Sequence, residues 1–357
     1  MFKKLDYPII LLTVLIFIIG ILFQYSVWYQ KDVSPLDNPA VKQLIWVFIG
    51  FCIFVFILNI GYRRIISASY FLYGVVLFLL AAVLIFGRQR LGAQRWIQLG
   101  IFNIQPSEFS KLSLILALAY YLGSRHYRAL SIRNLIVPLL LTAVPALLIL
   151  KQPDLGTAIV LFPVLLAMLY IFGAEIKYII GFLIAGALSM PLFWHMLRPY
   201  QKQRLLVFIN PNVDPLGAGY TIIQSKIAVG SGKLFGKGWL SGTQNYLNFL
   251  PERHTDFIFS VVGEEWGFIG SLFLFTLYFL LIKRMIHILN MTENIYGKLL
   301  ITGIATMLFF QVIVNIGMTI GLFPVVGITL PLISYGGSSL LTTFIGVAIV
   351  LSVHQWR

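Results

Sequence analysis

Charge is what this sequence is short of. Only 11% of its 357 residues are Asp, Glu, Lys or Arg, under half the share of about 25% carried by soluble domains. Such a chain could not cover a globular surface in polar groups, so a soluble enzyme and a disordered chain are both excluded. Cysteine is nearly absent too. The single Cys52 lies inside an apolar run, which excludes an intrachain disulfide and a cysteine-based metal site. The five histidines have no metal-ligand spacing, and no nucleophile elbow or dinucleotide fingerprint occurs. Gly230-Ser-Gly-Lys-Leu-Phe-Gly-Lys-Gly has the outline of a phosphate loop. It fails because Ser231 stands where a glycine belongs and Gly238 where a Ser or Thr should follow the lysine.

What the chain has instead is apolar length. Hydrophobic residues make up 59% and aromatics 15%, with a mean hydropathy of +0.91. Apolar runs fall near 8–28, 41–60, 66–86, 106–123, 133–150, 156–172, 176–196, 257–282, 299–322 and 327–353, each close to the ~20 residues that a bilayer requires. The pattern predicts an all-α integral membrane protein of about ten transmembrane helices, a single polytopic membrane domain over 1–357. Lys3 and Lys4 before an apolar stretch look like a signal-peptide start. No small-residue cleavage site follows, so a retained first helix is expected.

Orientation follows from Lys and Arg in short loops. With the N-terminus inside, twelve basic residues fall in inner segments and six in short outer loops, which places both termini in the cytoplasm. The exceptions are informative. Arg198, Lys202, Arg204, Lys226, Lys233, Lys237 and Arg253 share one long outer loop, about 197–256, between spans seven and eight. Arg88, Arg90 and Arg95 join them from another outer loop, giving a cationic outer face. The net charge of +14 therefore reads as topology and contact with anionic lipid, with no nucleic-acid partner. Within the long loop, Ile222, Ile223 and Ile227 approximate one face of a helix at 220–229, expected to lie on the membrane surface.

Charged residues at membrane depth are costly and mark function or a fixed ion pair. Glu108 and Lys111, three apart in the fourth span, can pair. Asp154 stands where the sixth span begins and suits an N-cap. The densest group is Leu250-Pro-Glu-Arg-His-Thr-Asp-Phe-Ile-Phe, with Glu264 and Glu265 two turns on. There Asp256 or Thr255 could cap the eighth span. Alternatively Asp256 is a base, its proton affinity raised by apolar neighbours such as Phe257. Pro163, Pro191, Pro324 and Pro331 interrupt apolar runs, and Pro331-Leu-Ile-Ser-Tyr-Gly-Gly-Ser-Ser suggests a cavity wall or close helix packing.

Gln105-Pro-Ser-Glu, Gln152-Pro-Asp-Leu-Gly-Thr, Asp214-Pro-Leu-Gly-Ala-Gly-Tyr, Gln224-Ser-Lys-Ile-Ala, Gly238-Trp, the 250–259 run and the 331–339 run together resemble the SEDS (shape, elongation, division, sporulation) family. The likeness covers nearly the whole chain. Gly242-Thr-Gln, and Arg253 between Glu252 and His254, are similar to its elongation branch. The resemblance implies a peptidoglycan glycosyltransferase that polymerises lipid II, the undecaprenyl-pyrophosphate-linked disaccharide pentapeptide, on the outer face of the cytoplasmic membrane. It implies a class B penicillin-binding protein as transpeptidase partner, with other elongation-complex proteins. It also maps a catalytic aspartate onto Asp256 and an intramembrane pair onto Glu108 and Lys111.

That chemistry suits the residues. A lipid diphosphate is a competent leaving group, so cations can replace the acid that glycosidases use. Asp256 is expected to deprotonate the acceptor 4-hydroxyl, with inversion at the anomeric carbon. The expected substrate-binding residues are Arg95, Glu108, Lys111, Asp154, Arg204, Lys226, Arg253, His254 and Ser338. A divalent cation (Mg or Mn) is left open as a helper, since no dedicated cage is visible. The alternatives are a lipid II flippase using Glu108, Lys111 and broken helices, and a scaffold that recruits cell-wall enzymes.

Overall fold

A computed structural model describes residues 5–29, 39–90, 93–99, 102–125, 132–247 and 249–356. In chain order these form α1 (Tyr7–Trp28), α2 (Pro39–Ile60), α3 (Tyr62–Ser67) and α4 (Ser69–Phe86), then strands β1 (Arg88–Arg90), β2 (Ala93–Leu99) and β3 (Phe102–Ile104). There follow α5 (Pro106–Gly123), α6 (Ile132–Lys151), α7 (Leu155–Phe172), α8 (Ile176–Met196), α9 (Pro199–Ile209) and α10 (Ala218–Ser231). The chain ends with α11 (Thr243–Tyr246), α12 (Ile258–Met291), α13 (Ile295–Thr319) and α14 (Gly337–Gln355). Of the described helices, eight are long and apolar enough to cross a membrane: α1, α2, α4, α6, α7, α12, α13 and α14. Helices α5 and α8 occupy two further positions where the sequence expects spans. Helix α5 falls short on composition because it carries Glu108, Lys111 and three serines.

Burial sorts the helices by chemistry. Helix α13 packs against α5, α7, α12 and α14, and α5 is enclosed over almost its whole length. A helix with a carboxylate and an ammonium must be inside such a bundle, because lipid offers them no partner. The outer helices instead expose large apolar side chains such as Phe48, Phe71, Phe78 and Phe86, a surface suited to acyl chains. Lipid tails are as apolar as leucine, so close packing rather than hydrophobicity must hold the bundle together. Glycines supply it. A β-carbon on Gly20 would stand 2.5 Å from the Leu332 carbonyl oxygen, and one on Gly156 2.5 Å from that of Val326. At the start of α1, buried Asp6 caps the helix and receives the guanidinium of Arg284 at 2.8–3.1 Å.

Four expectations are corrected. The last run is not a helix from 327, because residues 320–336 are non-helical and α14 starts only at Gly337. Pro324, Pro331 and the Gly336-Gly337 pair explain this break, since proline lacks the N–H that a helix needs. Helix α12 runs on to Met291, with a kink at Gly267 (φ +66). Pro163 and Pro191 need no correction: they interrupt apolar runs without ending α7 or α8, just as Pro138 and Pro145 lie within α6. Helix α10 exists, but its buried face is Ile222, Ser225 and Ala228, turned onto α12, while Ile227 is exposed. Residues 88–104, expected as a plain loop, contain an antiparallel sheet in the order β1-β2-β3.

Candidate active site

Helix α12 opens at a turn over 251–257, and this turn carries Asp256. The N-cap position belongs to Phe257, with no side-chain cap. Neither Thr255 nor Asp256 is therefore consumed in capping. Thr255 Oγ1 instead donates back to the Glu252 carbonyl at 3.3 Å. The Asp256 main-chain carbonyl accepts from Asn315 Nδ2 at 3.0 Å, which leaves the part-buried carboxylate directed toward the 325–328 segment. Gly327 (φ +74) forms the facing wall. A β-carbon there would sit 3.4 Å from Asp256 Oδ2 and 4.0 Å from a guanidinium nitrogen of Arg95.

Enclosure in this wall pushes the Asp256 carboxyl up to about 6. Desolvation is the main cause, because burial disfavours the charged form. Arg204 opposes it, Glu252 adds to it, and Arg95 and Asp154 act more weakly with opposite signs. Two of these charges are built in from different elements. Strand β2 brings Arg95, which donates to the Pro153 carbonyl and stands 3.6 Å from Asp154. Helix α9 brings Arg204, which donates to the Val325 carbonyl at 3.4 Å and lies over the Tyr200 ring. With Tyr200, Pro153 and residues 324–326 they line a small open cleft. Among the described residues the buried Arg95 Nε has no hydrogen-bond partner.

Asp154 is fully enclosed and caps α7, as its spacing to Thr157 suggests. It does more than cap. Its Oδ2 accepts from Gln105 Nε2 (3.1 Å), Ser107 Oγ (2.9 Å) and Thr157 Oγ1 (2.9 Å). This ties the start of α7 to the start of α5. Ser338 serves the same junction, accepting from the Gln105 main-chain N–H at 2.9 Å. Deeper in α5, Lys111 Nζ meets Glu108 Oε2 at 2.8 Å, both buried.

The remaining expected residues scatter. Arg253 is buried, and desolvation lowers its proton affinity. His254 lies between the rings of Trp28 and Tyr335, with Glu252 Oε2 3.9 Å from its Nε2. Lys226 is in a different neighbourhood: its ammonium end rests on Gly321 (φ +77). Glu264 and Glu265 anchor the glycine loop. Glu264 takes Lys237 Nζ (2.7 Å), Thr243 Oγ1 (3.0 Å) and the Gln244 N–H (3.1 Å), and Glu265 takes Ser26 and the Leu240 N–H. The loop's glycines let its backbone lie against the α12 kink, where a β-carbon on Gly236 would strike the Glu265 carbonyl. The side chains of Arg88 and Arg90, and all of His126, lie outside the described residues. Among the described residues, no group of three or more His, Cys, Asp or Glu could hold a metal ion.

A bundle of apolar helices with a buried ion pair, and a carboxylate among arginines at one end, defines a multi-pass membrane protein with a charged cleft. The chain belongs to the FtsW/RodA/SpoVE family of cell cycle proteins, whose model matches residues 7–357. It is 42% identical over 347 residues to the peptidoglycan glycosyltransferase MrdB of Escherichia coli strain K12, covering 97% of this chain and 93% of that one. Its fold is similar to a chain from a structure described as coordinating polymerization and crosslinking by a peptidoglycan synthase complex. That match has a TM-score of 0.84 and 34% identity, over 100% and 99% of the two chains. It is also similar to the crystal structure of the rod shape determining protein RodA of Thermus thermophilus, with a TM-score of 0.75 and 33% identity over 100% and 98%.

Proposed function

We propose that this chain is a peptidoglycan glycosyltransferase that polymerises lipid II, with Asp256 as the base. The activity rests on the relatives' naming, which the chain matches over nearly its full length. The observation that supports Asp256 is its carboxylate: uncapped, part-buried and facing Arg95 across Gly327, with Arg204 acting on it. In the reaction the acceptor 4-hydroxyl oxygen attacks the anomeric carbon of the donor sugar. The bond from that carbon to the phosphate oxygen breaks, with inversion, and undecaprenyl pyrophosphate departs. Asp256 takes the hydroxyl proton. A carboxylate near 6 is a stronger base than an ordinary one yet still ionised at neutral pH.

Arg95 and Arg204 are the cations placed to stabilise charge growing on the diphosphate. Arg253 and His254 adjoin Asp256 in the same turn and, with Lys226, are proposed further contacts for the substrate, while Asp154 and Ser338 hold Arg95 and α5 in place. Any divalent ion (Mg or Mn) would bind chiefly through the substrate's own phosphates. The same reading places the protein in the cytoplasmic (inner) membrane, both termini in the cytoplasm and the site on the extracytoplasmic face. A class B penicillin-binding transpeptidase and other elongation proteins are its proposed partners.

The buried Glu108–Lys111 pair is the observation that favours the alternative, lipid II flipping. Purified protein in detergent, given lipid II alone, separates the two. Glycan polymer formed with no membrane to cross supports the transferase, and its absence from protein that melts cooperatively overturns it.

A further inference from the structure

Three successive carbonyls of the turn that carries Asp256 are each captured by a side chain from elsewhere. Gln24 of α1 donates to the His254 carbonyl at 2.9 Å, Ser334 to that of Thr255 at 2.5 Å, and Asn315 of α13 to that of Asp256 at 3.0 Å. Each of the three also grips the 328–334 segment. Gln24 Nε2 donates a second time to the Ile333 carbonyl at 3.0 Å, and Asn315 Nδ2 to that of Ile328 at 2.6 Å. Ser334 Oγ accepts the Leu330 N–H at 2.8 Å. The 254–256 turn and the segment bearing Gly327 are thus held together at three points.

Two details separate this from ordinary polar packing. First, both amides are completely buried, and each turns one nitrogen onto two main-chain carbonyls of different segments. Second, Asn315 does not grip just any residues. It joins the carbonyl of Asp256 to that of Ile328, the neighbour of Gly327, and so sets the gap between the carboxylate and the wall it faces.

We infer that Asn315, supported by Gln24 and Ser334, is a positioning residue that holds the Asp256 carboxylate at the distance from the 327 wall that proton transfer needs. The inference rests on Asp256 being the base. It acts through geometry: a displacement of about 1 Å in a reacting group can cost roughly a hundredfold in rate.

The test compares Asn315→Leu, Ser334→Ala and Asp256→Asn in detergent with lipid II, as rates per folded protein over pH 4.5–8.5. Asn315→Leu removes both donors at similar volume. It should lower kcat by roughly 30- to 100-fold and leave KM for lipid II within about threefold. Its acidic limb should move to lower pH, because a loosened turn admits water to the carboxylate. Every charge acting on Asp256 stays in place in this variant: Arg204 from α9, Arg95 from β2, Glu252 in the turn and Asp154 before α7. Ser334→Ala, which removes one donor, should show the same direction with a smaller loss, and covers the case in which Asn315→Leu does not fold.

Unchanged kcat and acidic limb in both variants, with only a lower Tm, would make the clamp structural and overturn the inference. A rise confined to KM would overturn it too, pointing to substrate contact instead. Asp256→Asn tells the two failures apart. If it polymerises, the base assignment falls and the clamp with it; if it is inactive while the other two variants behave as wild type, the clamp alone falls.

Discussion

Gly327 lies between Asp256 and Arg95: a β-carbon there would make ordinary contact with both, 3.4 Å from the carboxylate Oδ2 and 4.0 Å from a guanidinium nitrogen. Its φ of +74 is in the left-handed region, so the backbone asks for glycine. The base and Arg95 thus border the same backbone position.

Gly327→Ala should therefore damage both stability and turnover. Strain at such a φ costs about 1–3 kcal/mol, and the added methyl narrows the gap. We expect a lower Tm and at least about a tenfold slower polymerisation, read as product per folded protein. Gly74→Ala in α4, where no other atom of the described residues lies within 4 Å of an added β-carbon, is the control and should keep wild-type activity.

The Glu108–Lys111 pair should show the asymmetry of buried charges. Removing one partner leaves the other uncompensated, at about 3–5 kcal/mol. Glu108→Gln or Lys111→Met alone should sharply reduce the Tm in detergent, whereas the double variant should recover much of it. Polymerisation by the recovered double variant then reports on substrate contact: activity restored with the fold means scaffold, and activity still lost means Lys111 touches lipid II.

Acid should switch the reaction off through Asp256. With its carboxyl near 6, the rate should rise with pH through that value and level off above it. The linkage to stability has the opposite sense. A carboxyl raised above its unfolded value stabilises the fold while protonated, and that contribution is lost as pH climbs from about 4 through about 6. Asp256→Asn should accordingly melt at a higher temperature than wild type at pH 7.5 and at the same temperature at pH 4. A lower Tm for the variant at pH 7.5 would contradict the desolvated carboxylate.

Glu264 should act on the glycine loop rather than on chemistry. Its loss strands the Lys237, Thr243 and Gln244 donors, each worth about 1 kcal/mol or somewhat more beside a charge. Lys237 is partly exposed and can turn to water, which softens the effect. Glu264→Ala should make residues 233–247 the first site of limited proteolysis, whereas Glu252→Ala, at an exposed carboxylate, should not.

Most of the scaffold was legible because bilayer thickness fixes span length, and runs of ~20 apolar residues have few other readings. Asp256 stood out for a related reason, as a carboxylate beside an arginine and a histidine at the mouth of an apolar helix. Other features gave no such signal. The 327–353 run reads as one span because Val325 to Leu332 is largely apolar, yet residues up to 336 are irregular chain, of which 324–327 border the site. Strands of three residues, as in β1 and β3, are too short to show alternation. Asn315 and Gln24 look like the lone amides that glue transmembrane helices together. Their partners are main-chain carbonyls, reached from Gln24 across 230 and 309 positions of sequence, which no side-chain pattern records.

The most direct measurement is glycan formation by purified Asp256→Asn against wild type and Asp256→Glu, all folded, with lipid II as the sole substrate. The account expects polymer from wild type, a residual trace from the glutamate variant and none from the asparagine variant. Strands of normal length from Asp256→Asn would contradict it.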